Sequence, residues 1–286
     1  MCFATTGTAQ AYGPDAASAT AVGLMRIVTG GTLLALIAWW VAGRSNVRGP
    51  SRRLPPRLVL LGGAAVLAYQ PTFFAGVRLN GVAVGTVVAL GAAPALTGLL
   101  EWLVTGRRPS QRWFIATGCA VIGVALLGGL FDRADAGISL AGIAGSLGAA
   151  LSYAVYALAT KRLLEDGTSA TTAIGSIFGS AALLGAPLLM LVDLSWLGST
   201  SGLALVAWLA VVTVALAYVL FAFGLKSLRA STVSTLTLVE PMTACLLGLL
   251  LLDERLSIPG WIGLVVLLAG VALLAVPGRR AVPVAA

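Results

Sequence analysis

Long apolar segments joined by short connectors constrain this chain more than any other feature. Each can cross a hydrocarbon core of about 30 Å as a helix that rises 1.5 Å per residue. Charged residues make up 10% of the chain, whereas soluble domains carry about 25%. The segments lie at roughly 17–42, 57–79, 81–104, 110–130, 138–160, 169–192, 202–225, 231–252 and 257–276. They predict an all-α membrane protein.

A shorter apolar piece, MCFATTGTAQAY, precedes Gly13 and Pro14. As a helix it spans about 18 Å, which is too short to cross a membrane. It lacks the basic region and the cleavage site of a signal peptide. We therefore expect it to be the end of a first transmembrane helix whose start lies upstream.

Most of the 18 basic residues lie in alternate connectors. With the short piece counted as span 1, they follow spans 2, 4, 6, 8 and 10. Cytoplasmic loops of membrane proteins are rich in Lys and Arg, so this bias predicts ten crossings with both termini in the cytoplasm. The net charge of +8 is spread over loops without an RNA- or DNA-binding motif. Nucleic acid is therefore not an expected partner.

The chain contains an internal repeat. PALTGLLEWLVTGRRPSQRWFIATGCAVIGVALL (94–127) aligns without a gap with PMTACLLGLLLLDERLSIPGWIGLVVLLAGVALL (241–274), matching Pro94 to Pro241. We predict two five-helix repeats, residues 1–130 and 138–276, and a short cytoplasmic tail, 277–286. Because five is odd, the second repeat starts on the opposite side, so the ten transmembrane helices form two inverted repeats. Such repeats are frequent in secondary transporters.

The same motifs carry a family likeness. In each half a proline and a leucine-rich stretch are followed by GRRPS or DERLS and then by a glycine-rich helix. With FATTGTAQAYGPDAASATAVGLMRIVTGG and AYQPTFFAGVRLNGVAVGTVVALGAAPALTGLLEWL, the chain resembles the drug/metabolite transporter superfamily, EamA type, over essentially its whole length. Arg26 stands at the family's usual arginine of the second helix. The first half departs from the pattern, because residues 105–108 lack the glutamate that many members have in this turn. The resemblance implies transport of a small metabolite and does not choose the cargo.

Glu240 is an acidic residue deep inside a predicted span, and such residues are costly and often functional. One interpretation is a carboxylate that couples transport to protons or binds a substrate amine. The alternative is a structural carboxylate that bonds backbone freed by Pro241 or is satisfied by Arg26. In the repeat, Pro241 aligns with Pro94 but Glu240 aligns with Ala93, so the charge belongs to one half only.

Arg26 lies at a similar depth in span 2. It is a candidate to bind a substrate carboxylate, and an ion pair with Glu240 is an equally open alternative. Further candidates to line a cavity are the polar and aromatic side chains Tyr69, Gln70, Tyr153, Tyr156 and Tyr218. Pro94 and Pro241 are predicted to bend spans 4 and 9 near the midplane.

Hydroxyl groups also cluster near the carboxylate, at Ser234, Thr237 and Thr243. In membrane helices such hydroxyls more often bond their own backbone or a neighbouring helix than a ligand. Glu101 is within a turn of a basic connector, where we expect it to snorkel or to pair with Arg107 or Arg108.

The sequence gives no support to enzyme chemistry. It contains no histidine, and it lacks the GxxxxGK[ST] phosphate-binding motif, so we expect no cofactor and no ATP hydrolysis. We therefore predict a secondary transporter of the cytoplasmic membrane that exports an amino acid or similar small metabolite by alternating access. The alternative is a non-transporting membrane subunit or scaffold with the same fold. The expected partners are the lipid bilayer and a small-molecule substrate, and the oligomeric state stays open.

Overall fold

The computed structural model describes residues 2–44, 54–127, 139–251 and 257–275, and all regular elements in these ranges are helical. A 3-10 turn, Cys2–Ala4, leads into the first helix. The helices are α1 Thr5–Ala11, α2 Ala19–Arg44, α3 Pro56–Gly81, α4 Val84–Thr105, α5 Gln111–Leu127, α6 Leu140–Glu165, α7 Ala170–Gly185, α8 Thr200–Ser227, α9 Ala230–Leu236, α10 Val239–Leu251 and α11 Ile258–Ala275. The predicted tail 277–286 and the turn at 253–255 lie outside the described residues.

The structure confirms an all-helical protein built for a membrane. In the described part of the chain, seven helices are long and apolar enough to cross a bilayer, the last of them running from α9 into α10. Two shorter apolar helices, Gln111–Leu126 and Ile258–Leu274, accompany them. Large apolar side chains such as Leu103 and Leu140 are exposed on the outside of the bundle. A surface of this kind requires lipid contact. The ten crossings and their sidedness stay predictions.

Serines and glycines define several helix ends. The side chains of Ser139, Ser169 and Ser199 accept hydrogen bonds from backbone amides at the starts of α6, α7 and α8. Such N-caps satisfy amides that have no partner within the helix. Gly81 has φ 78° and ψ 163°, a backbone conformation that favours glycine, and it separates α3 from α4. The short connectors predicted from the sequence therefore have local chemical causes.

Span 9 is two helices. The first, α9, ends at Leu236, and α10 begins at Val239, so the break at Thr237–Leu238 ends three residues before Pro241. Proline is tolerated in the first turn of a helix because the amide it lacks has no helical partner there. By contrast, the backbone stays helical through Pro94 within α4. A bend at Pro94 stays a prediction.

Helix α8 contains an irregular middle. Residues Leu209–Leu216 form a π-helix between two α-helical parts, Thr200–Trp208 and Ala217–Ser227. The wider turn rearranges the backbone hydrogen bonds, and π segments are often found at functional sites. Gly30 of α2 packs against this segment, since a Cβ at Gly30 would lie 2.5 Å from the Cβ of Val214.

Candidate functional site

A cavity of about 90 Å³ lies between helices from both halves of the chain. Helices α2, α3 and α4 supply one part of its wall, and α6, α8, α9 and the start of α10 supply the other. Its lining residues are Phe3, Arg26, Ile27, Val66, Tyr69, Gln70, Ala89, Leu90, Ala93, Tyr153, Tyr156, Tyr218, Ser234, Thr237, Leu238, Glu240 and Pro241.

The structure brings together the candidate residues chosen from the sequence. The seven candidates for substrate binding or coupling all line this one cavity: Arg26, Tyr69, Gln70, Tyr153, Tyr156, Tyr218 and Glu240. Pro241 lines it as well, whereas Pro94 does not, although its neighbour Ala93 does. A shared cavity is a geometric fact, and the role of each residue in it stays a proposal.

Arg26 is held on one side only. Its Nη2 atom donates to the carbonyl oxygen of Thr213, in the π segment of α8, at 3.5 Å. Its Nε atom is buried and has no hydrogen-bond partner among the described residues. A buried guanidinium donor without a partner is unfavourable, so this group is suited to donate a hydrogen bond to an acceptor bound in the cavity.

Arg26 and Glu240 line the same cavity without forming an ion pair. Among the described residues, the ion pairs with N···O distances within 4.0 Å are Lys161–Glu165, Arg162–Asp166 and Arg229–Glu101. The direct Arg26–Glu240 pair that the sequence left open is therefore absent from this structure. Two opposite charges face one small space, and an apolar setting makes each costly when it is left unpaired.

Hydroxyl groups form a second part of the wall. The Tyr153 hydroxyl and the Thr237 Oγ1 lie 3.2 Å apart, and Thr237 Oγ1 donates to the carbonyl oxygen of Ser234 at 2.7 Å. Because Thr237 follows the end of α9, its side chain belongs to the break in span 9. Thr243 does not line the cavity and donates to the carbonyl oxygen of Val239, the local bond that was the simpler alternative for it.

Aromatic rings surround the remaining wall. The ring of Tyr218 lies 4.1 Å from that of Phe178, 4.8 Å from Phe3 and 6.0 Å from Tyr156, measured between centroids. Such packing fixes the positions of the tyrosine rings. The aromatic part of the wall is therefore preformed.

Gln70 approaches α2 beside Arg26. Its Oε1 atom would lie 3.1 Å from a Cβ at Gly23, one turn before Arg26, so a side chain there would crowd the amide. Pro71 follows Gln70 within α3 and leaves a carbonyl one turn earlier without its usual helical donor. The sequence shows this proline plainly, although the predicted bends did not include it.

Two features of the site have no clear sequence signal. The Thr213 carbonyl that contacts Arg26 lies in the π-helical part of α8, and nothing in LAVVTVAL distinguishes that stretch from an ordinary apolar helix. Phe3 reaches the cavity from the 3-10 turn before α1. Among the described residues no group of three His, Cys, Asp or Glu side chains is placed to hold a metal ion.

The structure corrects the predicted surroundings of Glu101, next to the basic connectors. Glu101 was expected to snorkel or to pair with Arg107 or Arg108, but it is buried, and its Oε1 lies 3.5 Å from the Nε of Arg229, in the other half of the chain. Arg229 instead donates to the carbonyl oxygens of Arg107 and Arg108. The prediction was wrong because the connector before α9 folds against the end of α4, a contact that neighbours in sequence do not reveal.

The fold and the cavity together define a multi-pass membrane protein with a small cavity between its two halves that charged residues line. Comparison with known proteins makes this specific. The sequence profile of the EamA-like transporter family matches residues 1–129 and 140–276, and the chain belongs to that family. The family is one of transporters within the drug/metabolite transporter group, as the resemblance implied.

Individual relatives agree. The chain is 37% identical to the uncharacterized transporter YwfM of Bacillus subtilis, over 97% of this chain and 91% of that protein. It is 34% identical to the threonine/homoserine exporter RhtA of Escherichia coli over 65% of this chain and 64% of that protein. A crystal structure with 21% identity superposes with a TM-score of 0.76 over 95% of this chain and 92% of its own, which shows a shared fold.

Proposed function

We propose that this protein is a secondary transporter of the cytoplasmic membrane that exports a small amino acid or a similar zwitterionic metabolite by alternating access. The cavity between the two halves is its substrate site. The observation that carries the proposal is that Arg26 and Glu240, opposite in charge, line one cavity without an ion pair between them.

An α-amino acid carries a counter-charge for each of these two residues. Its carboxylate can accept from the unpartnered Nε of Arg26 and from a second guanidinium nitrogen, the bidentate geometry that favours arginine over lysine. Its ammonium group can then donate to Glu240 and approach the tyrosine rings. The zwitterion replaces two unfavourable unpaired charges by two satisfied ones.

Size and relatives support a small cargo. Drug-sized ligands occupy pockets of about 300–1,000 Å³, and this cavity of about 90 Å³ is well below that range. The relative RhtA is named for export of threonine and homoserine, two small amino acids with a hydroxyl group. In this chain Tyr153, Ser234 and Thr237 place hydroxyls on the same wall, where they suit a polar side chain of the cargo.

The packing of the helices supports alternating access between inverted repeats. Contacts join α2 with α7, α5 with α11, and α4 with α9, which are spans 2 and 7, 5 and 10, and 4 and 9. Span 3 contacts span 6, and in the corresponding pair Trp208 of span 8 donates to Thr5 of span 1 at 3.0 Å. This set of pairs is the one that a two-fold relation between the halves would produce. Rocking one half against the other would then expose the cavity on each side in turn.

Counterflow in proteoliposomes tests the proposal. Vesicles loaded with unlabelled threonine, homoserine or other small amino acids should accumulate the labelled compound transiently and with saturation. Glu240→Gln should reduce this exchange, whereas Glu165→Gln, a matched change to an exposed carboxylate outside the cavity, should leave it intact. If no amino acid from a broad panel exchanges faster than in empty vesicles, the proposed cargo class is wrong. A scaffold with the same fold would give that result.

A further inference from the structure

Helix α9 is attached to the first half of the chain by polar contacts along its whole length. Its hydroxyls lie against α4 and α5, with Thr97 Oγ1 3.4 Å from Ser234 Oγ and Thr117 Oγ1 2.9 Å from Thr235 Oγ1. The side chains of Thr97, Thr117 and Thr235 are almost completely buried. Buried hydroxyl pairs between two halves of a membrane protein are specific contacts that hold only while the helices are together.

Glu101 closes the end of this contact. Its Oε2 accepts from the backbone amide of Ser231 at 3.0 Å, and its Oε1 lies 3.5 Å from Arg229 Nε. The carbonyl oxygen of Ser231 accepts from the indole of Trp113 at 3.1 Å. Glu101 is 5% exposed, so its charge is satisfied by these partners and not by water. One carboxylate of α4 therefore holds the first turn of α9 in place.

The contacts of α2 with α7 and of α5 with α11 are of a different kind. Backbones approach through glycine at Gly31 and Gly175, between α2 and α7, and at Gly123 and Gly270, between α5 and α11. Close packing of this type contains no side-chain hydrogen bond that water could replace when the helices separate. In the polar contacts of α9, water can replace each lost partner of a hydroxyl or carboxylate, so the net free-energy cost of breaking each contact is small.

The position of α9 fits a moving part. It lies between the cavity, which Ser234 and Thr237 line, and the end of the bundle where Arg107, Arg108 and Arg229 meet, here called the basic end. The break at Thr237–Leu238 separates α9 from α10. The segment therefore ends at a helix break on its cavity side.

We propose that α9 is the gate between the cavity and the basic end, and that Glu101 is the positioning residue that holds this gate closed. The proposal rests on the transport cycle proposed above, since a gate has a purpose only where the cavity opens alternately. Opening breaks the hydroxyl pairs and releases Glu101 and Arg229 to water, and closing restores them.

The first test measures opening without any substrate. In a variant whose three cysteines, Cys2, Cys119 and Cys245, are replaced by alanine, Thr235→Cys provides a fully buried probe. A membrane-impermeant maleimide is added to vesicles from the basic side or from the opposite side. Because hydrogen bonds to a charged group are the stronger ones, Glu101→Gln should raise labelling from the basic side about tenfold. Labelling from the opposite side should not change.

Glu165→Gln is the matched control. It makes the same substitution at the same end, but in an ion pair within α6, where Lys161 Nζ lies 3.9 Å from Glu165 Oε1. It should leave labelling unchanged. An unchanged rate in Glu101→Gln, an equal rise in both variants, or a rise from both sides would overturn the gate. A purely structural role for Glu101 predicts a rise in labelling from both sides together with a lower melting temperature.

The second test locks the gate. In the same cysteine-free variant, Thr117→Cys with Thr235→Cys replaces the hydroxyl pair by two thiols. Oxidation should link them and stop substrate exchange, and a reductant should restore it. Undiminished exchange by the linked protein, or failure of the pair to link under oxidant, would overturn the proposal. If no amino acid is transported at all, the labelling experiment still decides whether the gate exists.

Discussion

Glu240→Gln should remove the preference for an ammonium group and little else. The substitution keeps the size of the side chain and a hydrogen-bonding oxygen but removes the charge that faces Arg26 across the cavity. A hydrogen bond to a charged group contributes about 1.5–3 kcal/mol. At 1.4 kcal/mol per tenfold, we expect roughly a 10- to 150-fold weaker affinity for an amino-acid cargo.

A des-amino analogue makes this prediction specific. The assay is inhibition of counterflow by each of two compounds, the amino acid and the corresponding acid without its ammonium group. The wild-type protein should bind the amino acid far more tightly, whereas Glu240→Gln should bind both with similar affinity. The difference between the two ratios isolates the contact between the ammonium group and the carboxylate, as in a double-mutant cycle.

Two results would refute this reasoning. If Glu240→Gln weakened the binding of both compounds equally, the carboxylate would shape the cavity and not bind the ammonium group. If affinities were unchanged but exchange lost its dependence on a proton gradient, Glu240 would serve coupling alone. Glu165→Gln controls for the loss of one negative charge, because Glu165 is half-exposed and pairs only within α6.

Three further predictions follow from the structure. Arg26→Lys should cost roughly tenfold in affinity for cargo with a carboxylate, since lysine lacks the bidentate fork, and an amine without a carboxylate should inhibit both proteins equally. Gly30→Ala places a Cβ 2.5 Å from Val214 and should lower the free energy of unfolding in detergent by about 1–3 kcal/mol. Gly118→Ala is the control, because a Cβ there has no neighbouring atom within 4 Å. Equal melting temperatures of the two variants would contradict the close contact. Hydrogen bonds from the amide and hydroxyl of Ser195 hold the pKa of Asp193 below its ordinary value of 3.8. The ionised carboxylate therefore stabilises its turn fully at pH values above 3.8, and this stabilisation is lost as the pH falls through the lowered pKa. Hydrogen exchange at the Ser195 amide should accelerate only in that acidic range.

Much of the fold follows from the sequence because lipid imposes a simple rule. A chain in hydrocarbon must satisfy its backbone within helices, so apolar length and turn residues such as Gly81 and Ser139 define most of the spans. The cavity residues could also be selected in advance. Charged, amide and phenolic groups within apolar spans are costly, and Arg26, Gln70 and Glu240 lie together in the structure as that cost suggests.

The rest depended on contacts between distant residues. Glu101 was assigned to the wrong arginines because the sequence shows only that Arg107 and Arg108 are near, and not that Arg229 folds onto the same carboxylate. The Thr213 carbonyl lies in a π-helix that apolar composition does not reveal. The residues that line the cavity were therefore predictable, whereas the π-helix and the partner of Glu101 were not.

Counterflow of a labelled small amino acid by purified wild-type protein in proteoliposomes tests the central claim most directly. The account predicts transient, saturable accumulation that Glu240→Gln and Arg26→Lys weaken and Glu165→Gln does not. Accumulation no greater than in empty vesicles across a broad panel, or equal accumulation by all four proteins, would contradict it.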